Sequence, residues 1–269
     1  MATAPSDKPM SAPMRWVFWF VAINALAGAL SLLFFPTRTH SLFFWEIKPA
    51  LNAALFGALY LGGAAVVGWV AYRGQWEAAR FLIPILVSAG IFISVTTLLH
   101  LDRFTPGLKL MYWLVIYLGA PLLALGFYLQ HERSRGNWAV THPVKPLTRL
   151  IALGLGGVLL GLGLVILLWP AGLVAYWPWP TTPLMLRIFA AWFSAFGVGL
   201  LWFQFDKDWK RLHLIATLMV AASGLDLLMI LLHRNDLTTT GVSLWVYCFH
   251  LALFGLVGLW MHWLQRAGA

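Results

Sequence analysis

Eight apolar blocks follow one another along the chain, separated by short polar stretches. Each is about 20 residues long, enough to cross ~30 Å of hydrocarbon as an α-helix. The pattern predicts spans at roughly 15–35, 50–72, 78–101, 109–130, 149–169, 184–206, 210–233 and 243–265. The connections at 73–77 and 207–209 are tight, which makes the helices flanking each one antiparallel neighbours. The longest connection, 131–148, is polar, holds Pro143 and Pro146, and divides the chain into two units at 15–130 and 149–265. Residues 1–14, rich in Pro, Ala and Ser, read as a disordered tail, and the first block reads as a retained span.

The second unit repeats the first. Arg15, Pro36, Trp45 and Pro49 recur as Arg149, Pro170, Trp179 and Pro183 at a shift of 134, and Trp76, Leu98, Leu99 and His100 recur as Trp209, Leu231, Leu232 and His233 at 133. Ala22, Ala27 and Ala29 correspond to Gly156, Gly161 and Gly163, and small residues on one face let that span approach a neighbour closely. Four crossings per unit is an even number, so both units enter the membrane in the same direction. The expected fold is all-α and integral to the membrane: eight transmembrane helices as two parallel four-helix repeats, with a pseudo-twofold axis along the membrane normal. Pro84 and Pro121 interrupt the third and fourth spans, whereas their counterparts Thr217 and Phe254 leave the second unit unbroken.

Composition agrees. Of 269 residues, 61% are hydrophobic and 10% charged, with a mean hydropathy of +0.81, far from the quarter or so of charged residues usual in soluble domains. The net charge of +9 reflects loops on one side of a bilayer and gives no reason to invoke nucleic acid. Twelve Lys and Arg gather on the side of the termini and six on the other, which places both termini in the cytoplasm of a bacterial inner membrane. Tryptophans near both sets of helix ends, among them Trp45, Trp76, Trp113 and Trp179, read as an aromatic belt. The single cysteine, Cys248, excludes a disulfide framework, and no metal-ligand spacing, phosphate loop or nucleophile elbow occurs.

Candidate chemistry concentrates in the second unit. Asp226 lies inside a lipid-length run, where a charge costs roughly 2.5–3.5 kcal/mol on insertion scales. His250 stands on the next helix at the same depth, about 10 Å below the outer end. Ser223 joins Asp226 on one face, and Tyr247 joins His250 on the other. The pair is open to three readings: a hydrogen-bonded pin between helices, a dyad that titrates or holds a ligand, or two residues that do not meet. His100 and His233 end the third span of each unit, as helix caps or as two ligands near the axis. Arg187 near the outer face either snorkels or binds an anion. Asn24 and Asn52 are of the sort that link helices.

Phe44-Trp45-Glu46-Ile47-Lys48-Pro49, Leu59-Tyr60-Leu61-Gly62 and Leu98-Leu99-His100-Leu101-Asp102-Arg103-Phe104 resemble stretches of bacterial multi-pass membrane proteins that have no assigned activity. The two-by-four layout, with histidines near helix ends, is similar to haem A synthase, a likeness that implies haem ligated by paired histidines in each half. Here the first half offers His100, with Tyr117 where a second histidine would be expected. Three function classes remain: a small-solute or proton-coupled carrier or accessory subunit of a membrane complex; a haem- or quinone-binding redox protein using His100, His233 and His250; and a membrane enzyme on a lipid-like substrate with Asp226 and His250 as acid and base.

Overall fold

The computed structural model describes residues 9–133, 140–238 and 241–266. Eight helices in it are long and apolar enough to cross a membrane. They are α1 (Ala12–Phe34), α2 (Ala50–Arg73), α3 (Trp76–Leu99), α4 (Leu108–His131), α5 (Pro146–Leu168), α6 (Pro183–Gln204), α7 (Trp209–Leu232) and α8 (Val242–Arg266). Their bounds lie within a few residues of those expected from hydropathy. Residues 1–8 of the expected tail, and 134–139 of the expected linker, lie outside the described residues. The rest of the tail is ordered: Met10 and Met14 are buried, Met10 N–H donates to Gly74 O (2.8 Å), and Pro13 opens α1 at its first turn.

Local chemistry sets the helix ends. Gly74 closes α2 in the left-handed conformation (φ 61°), with its N–H on Val70 O, the position where a Cβ is disfavoured. Thr182 caps α6 by accepting from Met185 N–H, and Asp208 caps α7 by accepting from Lys210 N–H at 2.9 Å. Burial pulls the Asp208 carboxyl upward. Hydrogen bonds from the Thr141 and Lys210 backbone and the Thr141 hydroxyl, with Arg211 adding its charge, outweigh that and hold it below the usual carboxylate range. These bonds also tie the end of the linker to the turn before α7, where Val144 N–H donates to Lys207 O.

The helices α2 and α6 form the centre: 72% of the apolar stretch of each is buried, against 17–28% for α1, α4, α5 and α8. The closest partners are α1 on α2 and α5 on α6. A Cβ on Gly156 would lie 3.0 Å from Gly197 O and one on Gly163 3.0 Å from Ala190 O, so α5 needs its glycines to seat on α6. Gly161 meets nothing within 4 Å, so its smallness serves no contact of this kind.

The tight turns do not produce the neighbours expected of them. Although α2 and α3 are joined by one turn, α3 lies mainly against α6; α7, joined to α6 by the other tight turn, lies against α8 and α2 and hardly touches α6. A helix apolar all round must be covered on every side. With α1 or α5 on one flank, the other flank of each central helix is covered by the third helix of the opposite half. Nor do all the tryptophans form a belt. Trp16, Trp169, Trp245 and Trp263 are exposed, but Trp45, Trp76, Trp113 and Trp179 are between 0 and 2% exposed and are core residues. Asn52, wholly buried, joins the halves: it accepts from Trp179 Nε1 at 2.8 Å and donates to Pro180 O.

Candidate functional site

Among the described residues, an open apolar groove of about 290 Å³ runs over α1 and α2, and two deeper cavities, one in each half, differ in size and chemistry. The one in the first half, about 280 Å³, is enclosed by α1, α2, α3 and α4 and residues 42–44, with Trp192 and Ala195 of α6 and Leu218 of α7. Its wall is apolar and aromatic, and no ionisable acid, base or histidine lines it. Polar groups enter at three places, one of them the Ser31 hydroxyl of α1, which is buried without a hydrogen-bond partner among the described residues. Deep inside, the Tyr60 and Tyr117 hydroxyls are hydrogen-bonded to each other. Near the rim, Tyr112 Oη donates to Asn24 Oδ1 (2.5 Å). Leu42 and Tyr112, both lining the cavity, are half-exposed, so it opens sideways at the lipid-facing surface between α1 and α4.

The backbone of α4 shapes this space. Pro121 has no N–H to return to Tyr117 O, four residues earlier, and the helix widens into a π segment at Val115–Gly119 just before it. Ser94 Oγ donates to the freed Tyr117 carbonyl at 3.3 Å. Close approach of the kinked helix requires Gly90 on α3, where a Cβ would lie 2.7 Å from Pro121 and 2.8 Å from Tyr117 O. Pro84, by contrast, is taken within a single continuous helix. An aromatic cluster of Phe43, Trp45, Phe104 and Trp113 fixes one end of the wall, with ring centroids 4.9–6.0 Å apart in the contacting pairs.

In the second half the rings of Phe196 and Phe254 meet edge to face at 4.9 Å; at the sequence shifts of 134 and 133 the first half has Gly62 and Pro121. The cavity left is about 40 Å³ and holds Ser223, Asp226, Tyr247 and His250 on its lining. Thus four of the sequence-predicted site residues do border one space. Asp226 is 5% exposed, and its Oδ1 has no hydrogen-bond partner. Among the described residues no hydrogen bond joins Asp226 to His250, whose ring lies instead against Phe193 and Phe254. Ser223 Oγ donates to Leu251 O across the α7–α8 contact, and Tyr247 stands edge-on to Trp177 and Trp179.

The remaining candidates lie at the end of the bundle opposite the termini, in separate partnerships. Arg187 donates from Nε to Leu167 O (2.8 Å) and from Nη1 to His100 Nε2 (2.7 Å). Burial first, and then the Arg187 charge, hold the His100 imidazole below its ordinary range. His233 Nδ1 is 3.8 Å from Asp236 Oδ2, an oxygen that also accepts from Leu51 N–H at the start of α2. Both histidines are the cap residues of their helices. Among the described residues, no group of three His, Cys, Asp or Glu side chains could hold a metal ion.

The His100–Arg187 contact carries a pH dependence with a definite sign. A group with a lowered folded-state pKa contributes stability above its unfolded value, here 6.5, and loses it as pH falls through the folded value. Thermal unfolding of the wild type should therefore shift downward below pH 6.5 more than that of His100→Gln, which keeps an acceptor without a titration. Identical pH profiles for the two would contradict the contact.

Sequence reasoning missed two features. One is the large cavity. The other is a buried ionic cluster at the end that carries the termini: Arg211 grips Asp206 through Nε (2.9 Å) and Nη2 (2.8 Å), and Arg80 reaches the same carboxylate at 3.4 Å. Asp208 and Glu77 lie 3.4 and 3.9 Å from Arg211. The signal was there, since Glu77, Arg80, Asp206, Asp208 and Arg211 all crowd the two tight turns, but positive loop charge accounts for the basic residues equally well.

An all-helical bundle with eight such apolar crossings has the architecture of a polytopic membrane protein. No protein family, curated relative or solved structure matches the chain.

Proposed function

We propose that the protein binds a neutral, lipid-soluble small molecule taken from the bilayer, and serves as a carrier or membrane-embedded binding protein for it. The observation that carries this reading is the cavity of about 280 Å³ in the first half, apolar, free of charged lining and open toward lipid. That volume lies near the lower end of small-molecule pockets, ~300 Å³. The tyrosine pair sets the head group. Two hydroxyls bring two O–H donors; one is spent on the other tyrosine, leaving one O–H for a ligand acceptor. A carbonyl or hydroxyl on an apolar body, as in a quinone or a prenyl alcohol, fits that offer, and an ion does not.

The two halves as tandem repeats about an axis along the membrane normal belong to the same reading. Supporting it, Met10 N–H to Gly74 O in the first half matches Val144 N–H to Lys207 O in the second, and α2 with α7 mirrors α6 with α3. A cytoplasmic location of both termini, at a bacterial inner membrane, is supported by the Lys and Arg distribution.

Thermal unfolding of the detergent-solubilised protein, titrated with a quinone and with a prenyl alcohol, tests the proposal. A saturable stabilisation by either is expected, and the Tyr60→Phe/Tyr117→Phe variant should bind up to about tenfold more weakly, the effect of one hydrogen bond. No saturable response to any neutral amphiphile would contradict it.

A further inference from the structure

The small cavity of the second half poses a separate problem, independent of any ligand in the first. Asp226 lies six residues from the end of α7, within the span, and is 95% buried by its 5% exposure. An ionised carboxyl in such surroundings needs a cation or several donors, and leaving one oxygen bare is costly. The elements packed around it supply no cation. From α8 come Tyr247, Cys248 and His250; from α6, Phe189, Trp192 and Phe193; from α5 and α2, Leu159 and Leu59. Of the basic residues on those helices and on α3, Arg73, Arg149 and Arg266 stand at the opposite end of the bundle, Arg187 of α6 is bound to His100 and Leu167 O, and Arg80 of α3 to Asp206. Arg211, on α7 itself, is 15 residues away, about 22 Å along the axis, and grips Asp206.

We propose that Asp226 is a proton-binding site inside the membrane. The missing partner of its carboxyl is a proton, taken up and released through the cavity it shares with His250. That cavity, about 40 Å³, has room for one or two water molecules, since one needs ~10–15 Å³ on this measure. Its polar groups, the Ser223 and Tyr247 hydroxyls and the His250 ring, can hold such a water between the carboxyl and the imidazole. Uptake converts carboxylate to carboxylic acid, adding one proton and one positive charge to the bundle interior, and release returns both. The first half has Ile93 and Tyr117 at the positions of Asp226 and His250, so it has no such site. One half binding a proton and the other an apolar molecule is an arrangement able to couple the two.

Two readouts test the proposal in the full-length protein in detergent or liposomes. Dicyclohexylcarbodiimide, an apolar reagent that adds to a protonated carboxyl to leave an N-acylurea, should label Asp226, as located by peptide mass. Labelling should fall as pH rises and be indifferent to sodium ion. Separately, the infrared difference spectrum between the wild type and Asp226→Asn should contain a carboxylic acid C=O band that disappears at high pH. Either signal at Asp226 supports a bound proton, even if the reagent cannot enter the cavity. Absence of both overturns it, as does labelling at Asp226 that sodium suppresses, which would make the occupant a metal cation.

Discussion

Replacing Asp206 with alanine is expected to cost about 3–5 kcal/mol of stability, the usual penalty for stranding a buried charge. Asp206 is 4% exposed and takes Arg211 through two nitrogens and Arg80 through a third. Both arginines are themselves buried, on α7 and α3, so the carboxylate is the tie between the third helices of the two halves. Without it, Arg211 keeps only the longer contacts to Asp208 and Glu77. The double replacement Asp206→Ala/Arg211→Met should be milder than the sum of the single ones by more than ~1 kcal/mol, because one variant removes the charge that the other would strand. Unfolding in detergent measures both. A cost below ~1 kcal/mol for Asp206→Ala would mean that the cluster is solvated and does not hold the halves together.

Filling the first-half cavity should abolish ligand binding without harming the fold. Ala89 of α3 lines the cavity, and tryptophan there projects an indole into about 280 Å³ of unfilled space. Overpacking penalties of ~1–3 kcal/mol apply to well-filled cores, and this region is not one. Ala89→Trp should therefore unfold near the wild-type temperature while binding a neutral amphiphile at least about tenfold more weakly, a loss of ~1.4 kcal/mol or more. Leu253→Trp, at a half-exposed position of α8, controls for the added ring and should bind as the wild type does. A cavity-filled variant that bound normally would place the ligand elsewhere.

The helices were legible because 20-residue apolar runs have one physical solution in a bilayer. Asp226 was legible for the same reason inverted: a carboxyl in such a run is conspicuous. Its company was only half legible. Equal depth on a hairpin brings His250 to the same cavity, but depth does not fix the rotation of two side chains, and among the described residues the two share that space without a direct bond. The large cavity left no mark in composition. It is made of Tyr, Phe, Gly and Ala types that ordinary spans also use, and it exists because Pro121 and Gly90 let α4 bend against α3. The four core tryptophans sit at helix ends, where a belt residue and a buried one have the same sequence position. Pairing of α2 with α7 and of α3 with α6 joins segments that are distant in the chain, and loop length speaks only of adjacent ones.

The first half should hold a neutral, lipid-soluble molecule. Native mass measurement of the gently solubilised protein tests it most directly. The wild type and Leu253→Trp should each carry one neutral adduct per chain, extractable into organic solvent, and Ala89→Trp should be bare. An adduct retained undiminished by Ala89→Trp, or a wild type that stays bare even when a quinone and a prenyl alcohol are supplied in excess, would contradict the account.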